Sequence, residues 1–360
     1  FKIKPKSTFT LGDVVENTSY IYFDYNAPVI TNTATTQLTN VATLSTTAAN
    51  LITQTSATLA GNITDNGGAT ITERGIVYAL TSNNGDPEIG GTNVLQTSSG
   101  TGTGAFTSSI TSLTVNTQYS FKSYAINSAG TNYGNLETFT TSALLTPTIT
   151  FSDFAKTYGD ADFLLNATSD SGGTISYSIE GSSNGTSLTG TNNNNIILGN
   201  AATITLRASV TAEGIYANGT KDITLTINKA NLSATADNAT KIYGDDNPNL
   251  TMQYAGFISD DDISMIDSEP TISTTATAAS NVGDYDITLA NGTDNNYSFT
   301  FVNGTLAITK RSISISANDI TKSLGDVDPE LTYQITSWSL VNGDSFSGSL
   351  IRLSGESIGT

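Results

Sequence analysis

Cysteine and histidine are both missing from all 360 residues. Without thiol or imidazole the chain has no disulfide, no thiolate nucleophile and no imidazole base, and most zinc or iron sites are out of reach. Most enzyme mechanisms are closed on that ground, and an enzyme is not expected. Charged residues make up only 13% of the chain, with 14 Lys and Arg against 32 Asp and Glu, a formal net charge of −18. Neutralising phosphates requires clustered cations, so nucleic acid and anionic lipid are excluded as partners. No run approaches the roughly 18 to 20 apolar residues that span a bilayer, and Phe1 to Leu11 lacks the apolar region of a signal peptide. The sequence opens without methionine and stops at Thr360 inside a repeating pattern, so a segment of a longer secreted chain is expected, with export signals and anchors elsewhere.

Thr, Ser, Asn, Gly and Ala dominate instead. A chain of this length suits about three to four units of roughly 80 to 120 residues, each with a small core. An internal repeat supports that division. Lys156-Thr157-Tyr158-Gly159-Asp160 returns as Lys241-Ile242-Tyr243-Gly244-Asp245 and again, with leucine for tyrosine, as Lys322-Ser323-Leu324-Gly325-Asp326. Unit ends repeat as well: Asn218-Gly219-Thr220 precedes Ile223, Leu225 and Ile227, and Asn303-Gly304-Thr305 precedes Leu306 and Ile308. After Lys229-Ala230 and Lys310-Arg311 a fresh alternation starts at once, through Leu232, Ala234 and Ala236 or Ile313, Ile315 and Ala317. The linkers are almost absent.

Alternation with period two puts apolar side chains on one face and Ser, Thr or Asn on the other, the pattern of half-buried antiparallel strands. Turn signals between the runs and the lack of any amphipathic helical stretch give an all-β class, as tandem immunoglobulin-like and fibronectin-like β-sandwich modules in an elongated array.

Residues 40–143 form one such unit. Leu113 stands six residues before Tyr119, and Phe121, Tyr124, Ala125, Asn127 and Gly130 follow. This resembles the E–F corner and F–G hairpin of fibronectin type III modules, in which the tyrosine hydroxyl ties the corner to upstream backbone. The departure is Leu59, where that family carries a tryptophan. Residues 1–39, with Gly12-Asp13 and Tyr22-Phe23-Asp24-Tyr25-Asn26, resemble the closing strands of a repeat domain of secreted Bacteroidetes proteins.

Residues 230–310 carry Tyr243-Gly244-Asp245-Asp246-Asn247-Pro248, Gly256-Phe257, Glu269-Pro270, Val282-Gly283-Asp284-Tyr285, Asn296-Tyr297 and Asn303-Gly304-Thr305 in order. The series is similar to the MBG repeats, of Tyr-Gly-x type, in giant bacterial adhesins. A further unit starts at 311, where Asp328-Pro329 and Asn342-Gly343-Asp344 fit again; 144–229 is an immunoglobulin-like, divergent Tyr-Gly-Asp unit that fits only at its ends. The mixture resembles surface adhesins of flavobacteria, including gliding-motility adhesins exported by type IX secretion. That resemblance implies a stalk segment on the outside of the bacterial cell, associated with the outer membrane, that projects a distal adhesive region and bears load. Its partners would be the neighbouring modules, with extracellular polysaccharide or surface glycans as ligands of the whole. Two other readings stay open: a carbohydrate- or glycoprotein-binding module, and a subunit of a self-associating filament.

No catalytic or cofactor-binding residue is proposed. The Tyr-Gly-Asp strings offer tyrosine, lysine and carboxylate together, but glycine and aspartate there suit a tight turn, with the tyrosine covering a sandwich end. Asp245, Asp246, Asp260, Asp261 and Asp262 are the candidate ligands for Ca²⁺, which takes six to eight oxygens; the alternative is solvated loops. Carboxylate pairs could serve a glycosidase, but modules this small lack the cleft. Lys156, Lys241 and Lys322 are the residues to weigh for an intramolecular isopeptide bond, and their place beside turns argues for exposure. Tyr297, Phe299 and Phe301 are expected in a core, and Asn192–Asn195 in an exposed hairpin loop.

Overall fold

A computed structural model describes residues 8–341 and 343–355. The described elements are strands apart from two short 3-10 turns, and no helix is long and apolar enough to cross a membrane. The chain divides into two compact units. One holds the residues up to Thr148 with Asp170–Gly173 and Thr211–Gly219; the other holds Ile149–Ser169, Thr174–Val210 and the chain from Thr220 on.

Near the start of the first unit, β1 (Val14–Asn17) pairs antiparallel with β4 (Ala34–Gln37), and between them β2 (Tyr20–Ile21) pairs with β3 (Val29–Ile30). A sandwich follows, built from β5 (Thr43–Asn50), β6 (Ala57–Asp65), β7 (Glu73–Leu80), β8 (Leu95–Ser98), β9 (Gly104–Ile110), β10 (Gln118–Asn127), β11 (Gly130–Tyr133) and β12 (Glu137–Thr140). One sheet runs β5-β6-β9; the other runs β11-β10-β7-β8, with β12 also on β10. Leu59, Ile63, Ile71, Ile76 and Phe121 fill the space between them. Leu59 is completely buried, so leucine serves as the core residue here. The corner expected at Tyr119 is present: the Thr114 amide donates to the Tyr119 hydroxyl at 2.9 Å.

One expectation fails in β10, which is buried on both faces rather than alternately. The connection from β7 to β8 accounts for this. Its Asp86 sits 2.8 Å from Lys122 Nζ, the ammonium lies over the Tyr133 ring, and Thr81 bonds Ser120 at 2.9 Å. Tyr124, on the same face, donates to Glu73 at 2.6 Å. Polar residues that alternation assigns to solvent are thus covered and paired, as buried polar groups must be.

In the second unit the strands are β13 (Ile149–Thr150), β14 (Phe154–Thr157), β15 (Phe163–Leu164), β16 (Thr168–Ser169), β17 (Ile175–Glu180), β18 (Ser187–Thr189), β19 (Asn195–Ile197), β20 (Ala202–Val210) and β21 (Gly219–Asn228). They assemble as β13-β16, β15-β19-β18 and β14-β21-β20-β17. Ile204, Leu206, Ala208, Ile223, Leu225 and Ile227, the alternating apolar residues of β20 and β21, make the core with Ile196 and Tyr177. Asn192–Asn194 form the β18–β19 hairpin connection, while Asn195 already belongs to β19.

A third set comprises β22 (Ala230–Ala236), β23 (Ala239–Ile242), β24 (Met252–Ala255), β25 (Thr271–Thr274), β26 (Gly283–Ala290), β27 (Tyr297–Val302) and β28 (Gly304–Thr309). Sheets β24-β22-β27 and β23-β28-β26-β25 enclose Ala234, Ala236, Ile287, Leu289, Leu306 and Ile308. Tyr297 is buried, Phe299 is half-buried and Phe301 is exposed at 36%. The aromatic run is therefore core only at its start; Phe301 stacks on Phe299 at the open end of the sheet. Finally β29 (Ser314–Ala317) pairs antiparallel with β30 (Tyr333–Ser337).

The pairing is not wholly antiparallel. β14 runs parallel to β21, β23 parallel to β28, and β22 parallel to β27. In both repeats the opening strand is split. Its second half crosses to the other sheet and lies beside the closing strand of its own module in the same direction, an arrangement that period two in sequence does not reveal.

Candidate inter-module interface

Parallel pairing decides where the Tyr-Gly-Asp strings end up. A turn that follows β14 emerges at the end of the sheet where β21 stops, and one that follows β23 emerges where β28 stops. The Tyr158 amide donates to Asn228 O at 2.9 Å and the Tyr243 amide to Thr309 O at 2.9 Å. The Tyr158 turn thus lies where the chain passes to the sandwich that β22 opens, and the Tyr243 turn where it passes on toward the β29–β30 pair.

The three turns share one local geometry. Asp160, Asp245 and Asp326 amides donate to Thr157, Ile242 and Ser323 carbonyls at 2.9, 3.0 and 3.1 Å. Gly159, Gly244 and Gly325 have φ of 87°, 88° and 90°, the left-handed value that the third residue of a type II turn requires and that glycine alone takes without steric cost. Lysines brace two of them. Lys241 Nζ donates to Asp245 O at 3.0 Å and Thr277 O at 2.6 Å, and Lys322 Nζ donates to Asp326 O at 3.0 Å. Lys241 is buried at 7%, against the exposure argued from its place beside a turn; its alkyl stem goes inward and its ammonium finds backbone carbonyls. Lys156 lies over the Phe163 ring, 4.7 Å from its centroid. Lys322 also meets Asp328 at 2.6 Å.

Beyond the Tyr158 turn lies the loop after β24. The Tyr158 hydroxyl donates to Asp261 Oδ2 at 3.0 Å, and the Tyr297 hydroxyl to the same oxygen at 2.6 Å. The Tyr297 oxygen also accepts the Ile258 amide at 2.8 Å. The two tyrosine rings meet edge to face at 5.6 Å, and Phe257 meets Tyr297 likewise at 5.7 Å. Burial and the Asp261 carboxylate push the Tyr297 hydroxyl up to about 12, and the same two causes raise Tyr158. Ile258 sits against Gly159, where a Cβ would stand 2.3 Å from its Cγ2. Asn296 adds two bonds, accepting from the Ala201 amide at 3.0 Å and donating to Asn200 Oδ1 at 3.1 Å.

The Tyr243 turn has its own surroundings. Its hydroxyl donates to Asp344 Oδ1 at 3.1 Å, and that bond, with burial second, raises the hydroxyl. Arg311 Nε donates to Tyr243 O at 2.7 Å, its guanidinium pairs with Asp245, and its planar face lies 4.9 Å from the Trp338 centroid.

These engagements account for three of the five calcium candidates. Asp245 faces Arg311 and Asp261 accepts two tyrosine hydroxyls. Asp262 accepts the Ser264 amide at 2.8 Å and its hydroxyl at 2.5 Å, capping the 3-10 turn Ile263–Met265; both bonds lower its carboxyl. Asp246 and Asp260 are exposed. Among the described residues no three His, Cys, Asp or Glu side chains gather as a metal cluster. The partner loops at Asp261 and Asp344 were not identified from the sequence as partners of the turns. The available signal was an aliphatic residue three positions before an aspartate, about a hundred residues beyond each tyrosine. Asn342, in the second of these loops, lies outside the described residues.

The MBG domain (YGX type) family model matches residues 232–307 and 313–360, and residues 1–37 match a domain of unknown function, DUF7619. No curated protein matches the sequence. Among solved structures, the sensor domain of the anti-sigma factor RsgI4 in Pseudobacteroides cellulosolvens is similar at 22% identity, over 29% of this chain and 98% of that one, with a TM-score of 0.23. The I-band fragment I67–I69 from titin is similar at 12% identity, over 75% and 98%, with a TM-score of 0.27. An FN3 domain of human collagen XX is similar at 19% identity, over 29% and 95%, with a TM-score of 0.21.

Proposed function

We propose that this segment is a non-enzymatic stalk of a large bacterial cell-surface adhesin, holding a distal region away from the cell and carrying load along the chain. The observation that carries the reading is the handover at Lys229: β21 ends at Asn228 and β22 begins at Ala230, so one residue separates two sandwiches. Tension entering one module is delivered to the next through strand backbone, with no slack linker to absorb it. The side-chain chemistry fits a spacer. Asp245, Asp261 and Asp262 are engaged by Arg311, by two tyrosine hydroxyls and by Ser264, and the surplus of acidic residues keeps similar neighbouring modules soluble and discourages edge-to-edge pairing. Type IX export and a part in gliding belong to the same proposal and rest on the family resemblance.

Small-angle X-ray scattering of the 360-residue chain tests it. A sandwich built on strands of 8 to 10 residues spans roughly 30 Å, so three in series extend to about 90 Å. A maximum dimension in that range, unchanged by calcium or chelator, is expected. A compact particle would contradict the stalk.

A further inference from the structure

The two junctions described above share more than a turn. Each Tyr-Gly-Asp turn is received by a second turn in the following stretch of chain, closed by a backbone hydrogen bond over three residues: the Asp261 amide donates to Ile258 O at 3.0 Å in one case, the Asp344 amide to Val341 O at 2.9 Å in the other. In both, the tyrosine hydroxyl reaches the aspartate that ends the receiving turn, across 103 and 101 positions of sequence. In both, the glycine backs onto the aliphatic residue that begins it. A Cβ on Gly159 would stand 2.3 Å from Ile258 Cγ2, and one on Gly244 2.4 Å from Val341 Cγ2.

We infer that the Tyr-Gly-Asp turn and the aliphatic-x-x-Asp turn are matched halves of a joint, and that the partner each such turn recognises is the next MBG-type module of the same chain. Glycine has two duties in it. Its positive φ makes the turn, and its missing side chain makes the socket for Ile258 or Val341, so the signature residues serve the junction as well as the module that carries them. The hydroxyl gives direction, because it fits only a turn that ends in a carboxylate. Around this common clasp the two joints differ: the first adds apolar and neutral contacts from Phe257, Tyr297 and Asn296, the second an ion pair and a cation–π contact from Arg311. The clasp supplies the lateral restraint that the stalk reading needs, and its mechanical meaning rests on that reading. Exchange protection reads the joint and scattering reads the stalk, so either can fail alone.

Hydrogen exchange of the full 360-residue chain, wild type against Tyr158→Phe and Tyr243→Phe, is the test. Each variant keeps its ring and its own turn, so the modules stay folded, which the protection of β20 and β26 verifies. The expected result is a several-fold faster exchange at 258–264 in Tyr158→Phe and at 343–345 in Tyr243→Phe, each confined to its own joint. Unchanged exchange in the receiving turns would overturn the inference. Acceleration confined to 157–160 or 242–245 would overturn it equally, as the mark of a turn that serves its own module only.

Discussion

Tyr158 donates its hydroxyl to Asp261 at 3.0 Å, and the same carboxylate oxygen takes the Tyr297 hydroxyl at 2.6 Å. One aspartate therefore ties the exit turn of one sandwich to the closing region of the next. A hydrogen bond to a charged group contributes about 1.5–3 kcal/mol, and half-exposure of Asp261 puts this one at the low end. Tyr158→Phe should cost about 1–2 kcal/mol in urea unfolding of the second unit. In a double-mutant cycle with Asp261→Asn, most of that loss should appear as coupling.

Gly159→Ala is predicted to cost more than Gly181→Ala. Both glycines have positive φ, 87° and 82°, so each variant meets a backbone cost of about 1–2 kcal/mol. A Cβ on Gly181 has nothing within 4 Å, whereas one on Gly159 meets Ile258. Equal midpoints for the two variants would deny the socket.

Alkaline titration should weaken the first joint. The Tyr297 hydroxyl is pushed from its ordinary 10 up to about 12. The unfolded chain releases that proton first, so the stability from this group is complete below pH 10 and is lost as pH rises from 10 to 12. Tyr124, also raised to about 12 by burial and Glu73, does the same in the first unit. Tyr158, whose hydroxyl is raised by burial and by the same Asp261 carboxylate, is the group that crosses the joint. The contribution of the joint is therefore the part of the slope that Tyr158→Phe removes in the second unit's unfolding curve, and Tyr297→Phe removes the part that belongs to the receiving module.

Lys241→Met should destabilise the third sandwich by about 1–3 kcal/mol, because the Asp245 and Thr277 carbonyls lose their ammonium donor while the stem stays packed. Thermal unfolding of the variant checks this. A neutral outcome would mean that water replaces the ammonium without loss.

Much of the fold is readable in the sequence because period two writes core positions directly: Ile204, Leu206 and Ala208 in β20, and Ile223, Leu225 and Ile227 in β21, are all buried. The Tyr119 corner is legible through the resemblance to fibronectin type III modules, and the Tyr-Gly-Asp turns from glycine and aspartate chemistry. The parallel placement of β14 and β23 is not, because alternation looks the same in either direction. Asp261 as a partner of Tyr158 is marked in sequence only by the aliphatic residue three positions before it, which any ordinary turn can carry, and only the tertiary path brings the tyrosine to it. Burial of Lys241 follows from two backbone carbonyls, which have no letter in the sequence.

The most direct test of the joint is a pulsed electron–electron distance measurement between spin labels at Thr203→Cys and Asp284→Cys, both exposed, in a chain whose lack of cysteine makes the labelling specific. The account predicts one narrow distance distribution that broadens when Tyr158→Phe and Asp261→Asn are introduced together. A broad distribution in the parent chain, or a narrow one that the two substitutions leave untouched, would contradict it.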